Sequence, residues 1–583
     1  MRCRTDSVAL VLSAAIALMP LCAGGQTMQD VRDRLSSEFH QGLYARTYDS
    51  ILGRIQDDGY FPESMTGAYG GMFPRTVGGL ASLFIETGEL ETARRVVHYV
   101  LRATRLSGME RIPHVIGPQW ASEDPVPSPG HTVQPEHPIA LYRLDQPQRF
   151  GGAQEFTAPK QPIRAVELWL TGDKCRGSIR LQIAEELQAE ALAVTDADAS
   201  PLTAAGAWRR FEFTDAPKLT PGKQYVMRAS FDGEGVPAWW GLDNAGERPL
   251  GAGHGRDTQI APGWLDNPGH VTAFAIDTGK LGHTRRTGIP ILCDRDQIDG
   301  QAHMIMAWAR LALLRDDTAA EDDGYEQVAR LMSRTSDWPY LSPYNADHPM
   351  LRAETGLVRN VCFEHSREGR FWDTFDILTQ SFVCVALTEM IRVAQRRADL
   401  QRAGLWQRRL RALEQAIGRR MTRQLDGKTI YLEMRLPDGG GGVPFEGLGW
   451  VNFAPVAAQW EGVDPDILAN TIEAYRARAL FTWEGHTALA LDWWPDRPLG
   501  KSVIGKGVGW EIVYCLQAHE PGRICQWLDF IEAVNTTPIY MEATGLTPEG
   551  DWHIADPGNG EQCVWWCWGM AKARKAVGLP PAP

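Results

Sequence analysis

The chain has 583 residues, of which 44% are hydrophobic and 22% charged, a composition typical of a globular protein with a sizeable core. Its formal net charge of -13 at pH 7 argues against nucleic acid or an anionic membrane surface as the main partner. The 21 tryptophans are unusual, because many lie in segments between helical patterns. An apolar ring with an N–H at its edge suits the face of a sugar, so a carbohydrate partner is predicted.

The N-terminus has the pattern of a secretory signal. Two arginines in the first four residues precede an apolar run over residues 8–21, and small residues follow it. Residues 1–25 are therefore predicted to be a cleaved signal peptide of a periplasmic or secreted protein. A lipid anchor at Cys22 is not expected, because Met19-Pro20-Leu21 lacks the small residues of a lipobox. No later stretch reaches about 18 uninterrupted apolar residues, so no membrane span is predicted.

Residues 26–114 and 280–583 carry the apolar spacing of helices. Long segments rich in Gly, Trp and carboxylates alternate six times with short links between the helical runs. About twelve helices in six hairpins are therefore predicted. Six hairpins that close into a ring form a mainly α, (α/α)6 toroid, in which the long segments meet at one mouth, at the N-termini of the inner helices. The long segments are residues 60–74, a stretch ending at 294–300, 363–373, 436–449, 481–510 and 541–561.

Residues 115–279 interrupt the helical pattern with short alternating runs separated by Gly, Pro and Asp turns. Alternation with turns roughly every ten residues predicts an antiparallel β-sandwich inserted between two helices. Sandwiches placed in this way often resemble carbohydrate-binding modules, and Trp239-Trp240 is a candidate platform for a sugar. The alternative is a structural lid or a dimer surface.

Two of the long segments carry carboxylates that suit the cleavage of a glycosidic bond. Asp373 ends one of them, and Glu542 lies near the start of the last. Cleavage needs an acid to protonate the leaving oxygen and a second carboxylate on the opposite face of the sugar. Because these groups come from different walls of a cleft, wide separation in sequence is expected. Asp373, with Asp376 three residues later, also fits a helix N-cap, which is the structural alternative.

At these two segments the chain resembles the six-hairpin glycosidase superfamily, and locally the trehalase and mannosyl-oligosaccharide glucosidase families. Gly369-Arg370-Phe371-Trp372-Asp373 is similar to the stretch that carries the general acid in those families. Glu542-Ala543-Thr544-Gly545, followed by Gly558-Asn559-Gly560-Glu561, is similar to the stretch that carries the general base. The resemblance therefore implies that Asp373 is the acid and Glu542 the base.

The chain departs from the family pattern at both motifs. Arg370-Phe371 replaces the Ser-Gly that precedes Trp-Asp in trehalases, and Ala543 replaces the aromatic residue after the base. Alternatives therefore stay open for both roles. They are Glu368 and Asp376 for the acid, and Glu561 and Glu511 for the base.

Other residues of the long segments suit a sugar pocket, since charged and amide groups beside tryptophans can bond to vicinal hydroxyls. The predicted substrate-binding residues are Arg75, Asp299, Gln301, Arg370, Trp372, Trp450, Asn452, Trp510, Glu511 and Trp552. No cluster has the spacing of metal ligands and no dinucleotide or phosphate-binding motif is present, so neither a metal nor a cofactor is expected.

The sequence thus favours a glycoside hydrolase that acts with inversion on an uncharged oligo- or polysaccharide. Inversion requires the two carboxyl groups to be roughly 6.5–9.5 Å apart, against about 5–5.5 Å for retention. One alternative is a polysaccharide lyase on a helical toroid, with Tyr540 or His365 as base beside Arg367 and Arg370. The other is a glycan-binding protein without catalytic activity.

Overall fold

A computed structural model describes residues 25–66, 70–125, 140–243, 251–258, 263–267, 269–279, 281–293, 297–315, 318, 321–322, 324–336, 356–360, 374–435, 448–491, 503, 505–546, 552–556 and 558–583. The predicted signal peptide falls almost wholly outside these residues. The helices are α1 (Met28–Leu35), α2 (Glu38–Arg54), α3 (Pro74–Thr87), α4 (Leu90–Leu106), α5 (Ile298–Leu313), α6 (Tyr325–Thr335), α7 (Ile377–Arg396), α8 (Leu400–Arg420), α9 (Ala454–Ala458), α10 (Pro465–Ala479), α11 (Gly505–Gln517), α12 (Pro521–Val534) and α13 (Gly560–Ala576), with a 3-10 helix at Gly449–Phe453.

The strands of the described residues lie mostly between α4 and α5. They are β1 (Val115–Ile116), β2 (Trp120–Pro125), β3 (Ala140–Arg143), β4 (Phe150–Thr157), β5 (Ala165–Thr171), β6 (Arg176–Ala184), β7 (Ala191–Asp198), β8 (Ala207–Glu212), β9 (Gln224–Glu234), β10 (Ala238–Asp243), β11 (Gly253–Asp257), β12 (Trp264–Asn267), β13 (His270–Thr272), β14 (Phe274–Asp277), β15 (His283–Gly288), β16 (Ile291–Cys293), β17 (Phe375–Asp376), β18 (Thr422–Leu425), β19 (Lys428–Tyr431), β20 (Met434–Arg435), β21 (Leu480–Trp483), β22 (His486–Leu489), β23 (Glu542–Leu546) and β24 (Trp552–Asp556).

The helices differ in how much of their surface is buried. In α5, 14 of 16 residues are buried, and in α13, 14 of 17 are buried. In α8 only five of 21 residues are buried, and the rest of its surface is rich in arginine. A helix that is apolar on all sides belongs inside a protein, whereas one with a single apolar stripe belongs on its outside. By this criterion α5 and α13 are inner helices and α8 is an outer helix.

Six of the helices contact one another in an order that returns to its start. α3 contacts α5, which contacts α7, then α9, α11 and α13, and α13 contacts α3 again. The helices α4, α6, α8 and α12 pack against α3, α5, α7 and α11 respectively. Each inner helix begins within about five residues of the end of one of the long segments of the sequence.

Glycines allow α11 and α13 to approach each other backbone to backbone. A Cβ on Gly509 would lie 2.2 Å from the carbonyl oxygen of Trp565, and a Cβ on Gly569 would lie 2.5 Å from the carbonyl oxygen of Gly509. These atoms belong to main chains, which cannot turn aside as a flexible side chain can. The contact between the two helices therefore requires glycine at both positions.

The inserted segment contains two six-stranded antiparallel sheets. One consists of β3, β5, β8, β10, β13 and β14, and the other of β4, β6, β7, β9, β11 and β12. Side chains of both sheets, such as Trp169 of the first and Met227 of the second, belong to one hydrophobic core. β1 and β16 pair with each other, with Val115 opposite Cys293, so the segment leaves and rejoins the helical part at neighbouring positions.

The prediction that Trp239-Trp240 forms a sugar platform is wrong, because neither side chain is exposed to solvent. Trp239 faces the second sheet, where a Cβ on Gly152 would lie 3.3 Å from its ring. The ring of Trp240 packs 5.6 Å from Trp169, and Trp169 in turn packs 5.0 Å from Trp120 of β2. Alternation along β10 sends the two rings to opposite faces, and both faces of this strand are covered.

One described helix, α7, is long and apolar enough to cross a membrane, with a mean hydropathy of 1.5 over its most apolar window. Of that window, 89% is buried inside the protein, against α5, α8 and α9. Since the core helix of a water-soluble protein passes the same test, this is weak evidence for a membrane span.

We expect Gly509→Ala to destabilise the protein, because the added methyl group overlaps the carbonyl of Trp565 and forces α11 and α13 apart. The expected loss is about 1–3 kcal/mol or more, measured as a lower midpoint of thermal unfolding. The matched control is Gly404→Ala in the outer helix α8, where the nearest atom to the new Cβ is a terminal nitrogen of Arg408 at 3.7 Å. This control should be neutral or stabilising by up to about 1 kcal/mol. Equal effects of the two substitutions would contradict the close approach.

Candidate active site

Four inner helices place a charged residue at the same position, the second of the helix. These residues are Arg75 of α3, Asp299 of α5, Lys506 of α11 and Glu561 of α13. We call these four side chains the charged layer. Arg75, Asp299 and Glu561 were among the predicted site residues, and the structure brings all four side chains together although up to 486 positions separate them in sequence.

Glu561 is the centre of the charged layer, because it binds both cations. Its Oε1 lies 2.8 Å from Nε of Arg75, and its Oε2 accepts hydrogen bonds from Nη2 of Arg75 at 3.2 Å and from Nζ of Lys506 at 3.0 Å. Nη1 of Arg75 donates to Oδ2 of Asp299 at 3.4 Å. The side chains of Asp299, Lys506 and Glu561 are each at most 7% exposed, so these ion pairs are screened little by water.

The ion pairs keep Glu561 ionised. Burial alone would raise the pKa of Glu561, but the charges of Arg75 and Lys506 outweigh it and lower this pKa to about 2. A carboxylate with so low a pKa is a weak proton acceptor. The geometry therefore favours Glu561, an alternative for the general base, as a group that binds and orients its neighbours.

A second set of hydrogen bonds connects the charged layer to the start of α7. Nδ2 of Asn360 donates to Oδ1 of Asp299 at 2.7 Å and to Oγ1 of Thr379 at 3.0 Å. The hydroxyl of Thr379 donates to Oδ2 of Asp376 at 2.8 Å, and the N–H of Thr379 donates to Oδ1 at 2.6 Å. Asp376, and not Asp373, is thus the N-cap of α7. These hydrogen bonds from Asp299 to Asp376 extend the site from α5 to the neighbouring inner helix α7.

Burial disfavours the charge of Asp376, which was an alternative for the general acid. Burial first, and then the nearby charge of Asp299, raises the pKa of Asp376 to about 7. Burial also raises the pKa of Asp299, against the opposing effect of Arg75. The pKa of Asp376 is in the range of a general acid, but both of its oxygens bind Thr379 and the side chain is fully buried.

Beneath the charged layer lies a layer of rings, which we call the aromatic layer and which consists of His303, Phe382, Trp510 and Trp565. His303, Trp510 and Trp565 each lie four residues after a member of the charged layer, which places them one turn deeper on the same helix face. His303 stacks on Phe382 with ring centres 3.6 Å apart, and Trp510 packs 5.3 Å from Trp565. Burial lowers the pKa of His303 well below its ordinary value, so the imidazole is neutral.

Other predicted substrate-binding residues lie beside these layers. Trp450, the second residue of the 3-10 helix, lies beneath Lys506, whose Nζ is 3.8 Å from the ring centre. Nδ2 of Asn452 donates to Oε1 of Glu433 at 2.9 Å. Both Trp450 and Trp510 are buried, so the structure places them under the charged groups and not on an open surface.

Three predicted residues do not join the charged layer. Glu511 faces the outer helices, where Arg476, Arg523 and the indole N–H of Trp527 bind its two oxygens. Gln301 lies two residues after Asp299, which is about 200° around α5, so it points away from the charged layer. It shares a helix face with Trp308, seven residues later. Trp552 packs in an aromatic group with Phe481, Trp483 and Phe530.

Asp373 and Glu542 were predicted to be the general acid and the general base. The structure describes only the backbone of Glu542 and nothing of Asp373. Asp373, Glu368, Arg370 and Trp372 lie outside the described residues. For Glu542 the backbone is described, as the first residue of β23 opposite Asp556, whereas the side chain lies outside the described part.

Glu63 and Asn360 are part of the site and were not predicted. Glu63 lies in the first long segment, and burial followed by the charge of Glu561 raises its pKa to about 8. No periodic pattern marks either residue, because both lie in irregular segments. Within the described parts of the chain, no group of three or more His, Cys, Asp or Glu side chains is placed to bind a metal.

No protein-family model matches this chain, and no curated protein matches it. Among solved structures it is similar to a bacterial glucoamylase in complex with acarbose, at 11% identity and a TM-score of 0.43 over 92% of this chain and 56% of the glucoamylase. It is also similar to a metal-independent α-mannosidase from Streptococcus pneumoniae, at 12% identity and a TM-score of 0.38 over 49% of this chain and 70% of the mannosidase.

A variant of a further glycosidase matches 94% of this chain and all of its own length, at 11% identity and a TM-score of 0.43. The chain therefore spans just over half the length of the glucoamylase and the full length of this glycosidase. All three are glycosidases. At these identities and TM-scores the likenesses establish no common activity, so the site itself has to support any function.

We expect Glu561→Gln to destabilise the protein strongly, because the substitution leaves buried Lys506 without its carboxylate and Arg75 with Asp299 alone. The expected loss is about 3–5 kcal/mol at pH 7, measured by thermal unfolding. The control is Glu326→Gln, which breaks an exposed ion pair with Arg402 at 2.8 Å and should cost at most about 1 kcal/mol. A loss for Glu561→Gln as small as that of the control would contradict the central role of Glu561.

We expect Asp376→Asn to change how stability depends on pH. The pKa of Asp376 is about 7 in the folded protein against 3.8 when exposed, so the wild type loses stability as pH rises through this window. Asparagine cannot ionise and still caps α7, so the unfolding midpoint of the variant should rise relative to the wild type between pH 4 and pH 7.

The control for this prediction is Asp399→Asn at the N-cap of α8, where the N–H of Arg402 and the hydroxyl of Tyr325 outweigh burial and lower the pKa of the carboxyl. Because the folded protein lowers the pKa of Asp399, this residue has the opposite effect on stability: the protein loses stability as pH falls below the ordinary pKa of an aspartate. If the unfolding midpoints of the wild type and Asp376→Asn differ by the same amount at every pH from 4 to 7, Asp376 is ionised in the folded protein and the prediction is wrong.

Proposed function

We propose that this protein is a glycoside hydrolase whose active site lies at the charged layer. The helical part is proposed to be an (α/α)6 toroid, and the inserted sheets a β-sandwich. One observation carries the proposal: the N-termini of the inner helices bring together carboxyl groups, an arginine and a lysine that are far apart in sequence. Such a concentration of buried charge at one end of an apolar ring is costly for stability and is typical of a site that acts on a polar ligand.

The carboxyl groups of the site favour different protonation states, as glycoside hydrolysis requires. The pKa of Glu561 is about 2, whereas the pKa values of Asp376 and Glu63 are about 7 and about 8. Environments that separate the pKa values of neighbouring carboxyl groups are how glycosidases maintain an acid beside a carboxylate. Arginine and carboxylate side chains of the charged layer also offer the donors and acceptors that vicinal hydroxyls need.

Asp373 is proposed as the general acid and Glu542 as the general base. Thr374, the residue after Asp373, exchanges two backbone hydrogen bonds with Asn360, whose side chain binds Asp299. Tyr540, two residues before Glu542, stacks on Trp566 of α13 with ring centres 4.3 Å apart. The described neighbours of the two acids in sequence, Thr374 and Tyr540, thus contact a residue of the site and an inner helix respectively, which supports the proposal.

The proposed reaction is inverting: Asp373 protonates the leaving oxygen while Glu542 removes a proton from the attacking water. An uncharged glycan is proposed as substrate, since the cations of the charged layer already bind Glu561 and Asp299. Arg370, Trp372 and Asn452 are proposed to contact it as well. A cleaved signal peptide would place the enzyme in the periplasm or outside the cell, where such glycans are available.

We expect Asp373→Asn and Glu542→Gln each to lower kcat by about a thousandfold, because each removes a proton transfer. A panel of p-nitrophenyl glycosides and natural glycans provides the substrate. The controls are Asp49→Asn and Glu38→Gln, which change exposed acids of α2 and should leave kcat unchanged. NMR of the first product formed should show the anomer opposite to that of the substrate.

Three results would contradict this assignment. Full activity of both variants would remove Asp373 and Glu542 from the mechanism. A first product with the anomeric configuration of the substrate would show retention. An unsaturated product, detected by its ultraviolet absorbance, would show a lyase in place of a hydrolase.

A further inference from the structure

Hydrogen bonds centred on Glu63 join the first long segment to the last. The main-chain oxygen of Glu63 accepts a hydrogen bond from the N–H of Gly560 at 2.7 Å. Its Oε1 accepts from the N–H of Glu561 at 3.1 Å, and its Oε2 lies 2.6 Å from the hydroxyl oxygen of Thr76, within hydrogen-bond distance. The residue is only 5% exposed. One buried side chain therefore connects the start of α3 with the start of α13.

The two partners of the Glu63 side chain adjoin the charged layer or belong to it. Thr76 directly follows Arg75 in α3, and Glu561 is the carboxylate that binds Arg75 and Lys506. A shift of the Glu63 carboxyl group would therefore move both ends of the ion pair between Arg75 and Glu561.

Burial and a second carboxylate charge nearby both disfavour the ionised form of a carboxyl group. Burial and the charge of Glu561 raise the pKa of Glu63 to about 8, with Arg75 opposing them. The charged groups that face Glu63 are Arg75 from α3 and Glu561 from α13, and Lys506 of α11 acts on it through Glu561. A neutral carboxyl group has one donor and one acceptor oxygen, which suits the hydroxyl of Thr76 and the N–H of Glu561.

We propose that Glu63 is a positioning residue of the site, a neutral carboxylic acid that holds Arg75 and Glu561 in the geometry that binds substrate. This role rests on the proposed function. Ionisation of Glu63 would repel Glu561 and attract Arg75, so the ion pair would rearrange. Substrate binding should therefore weaken as pH rises past about 8, without any change in the acid or the base of the reaction.

The test is the kinetics of the wild type, Glu63→Ala and Glu63→Gln on the p-nitrophenyl glycoside that the wild type hydrolyses fastest. Glu63→Ala should lower kcat/KM about ten- to a hundredfold, mainly through KM, since two hydrogen bonds are lost. Glutamine reproduces the neutral acid, with an oxygen toward the N–H of Glu561 and an NH2 toward Thr76. Glu63→Gln should therefore restore most of the loss and abolish the decline of kcat/KM above pH 8.

Glu91→Gln, an exposed substitution in α4, is the control and should leave kcat/KM unchanged. The proposal is overturned if Glu63→Ala keeps the kcat/KM of the wild type. It is also overturned if Glu63→Gln is as impaired as Glu63→Ala and shows the same decline at alkaline pH.

A second measurement does not depend on catalysis. The unfolding midpoint of the wild type should fall relative to Glu63→Gln as pH rises from 5 to 8, because Glu63 keeps its proton in the folded protein only. A difference that is constant with pH overturns the neutral state of Glu63. A wild type that shows this pH dependence but hydrolyses no glycoside rejects the proposed function, and with it the positioning role.

Discussion

The site depends on one carboxylate shared between two buried cations. Arg75, Lys506 and Glu561 come from α3, α11 and α13, and without Glu561 the buried charge of Lys506 would lose the carboxylate that it binds. The ion pairs therefore require these three helices to begin at the same level. Glycines at the contact of α11 with α13 permit the close approach that this requires. The close contact between α11 and α13 and the ion pairs at their N-termini therefore favour the same arrangement of these helices.

This arrangement gives the site its chemical properties. Because Glu561 is occupied by cations, it remains ionised, and its charge helps to keep Glu63 neutral. The charge of Asp299 acts in the same direction on Asp376, adding to burial, which raises the pKa of Asp376. Carboxyl groups with raised and with lowered pKa values therefore lie near one another at the starts of the inner helices. Glycoside hydrolysis is a reaction that uses such a separation of protonation states.

The buried helices and three members of the charged layer could be predicted from the sequence, for a physical reason. Long polar segments leading into apolar runs mark the starts of buried helices, and Arg75, Asp299 and Glu561 were predicted at those starts. Rotation about a helix was harder to predict: Glu511 lies five residues after Lys506, about 140° away, and faces the outer helices. Glu63 and Asn360 were missed because irregular segments have no period from which the direction of a side chain can be predicted.

The most direct test of the account is a crystal structure of the Glu542→Gln variant with its glycan bound. The account predicts a sugar ring in contact with the charged layer, and the carboxyl group of Asp373 roughly 6.5–9.5 Å from the amide of the substituted residue, on the opposite side of the glycosidic bond. A glycan bound elsewhere on the molecule, or these two side chains on the same side of the bond, would contradict it.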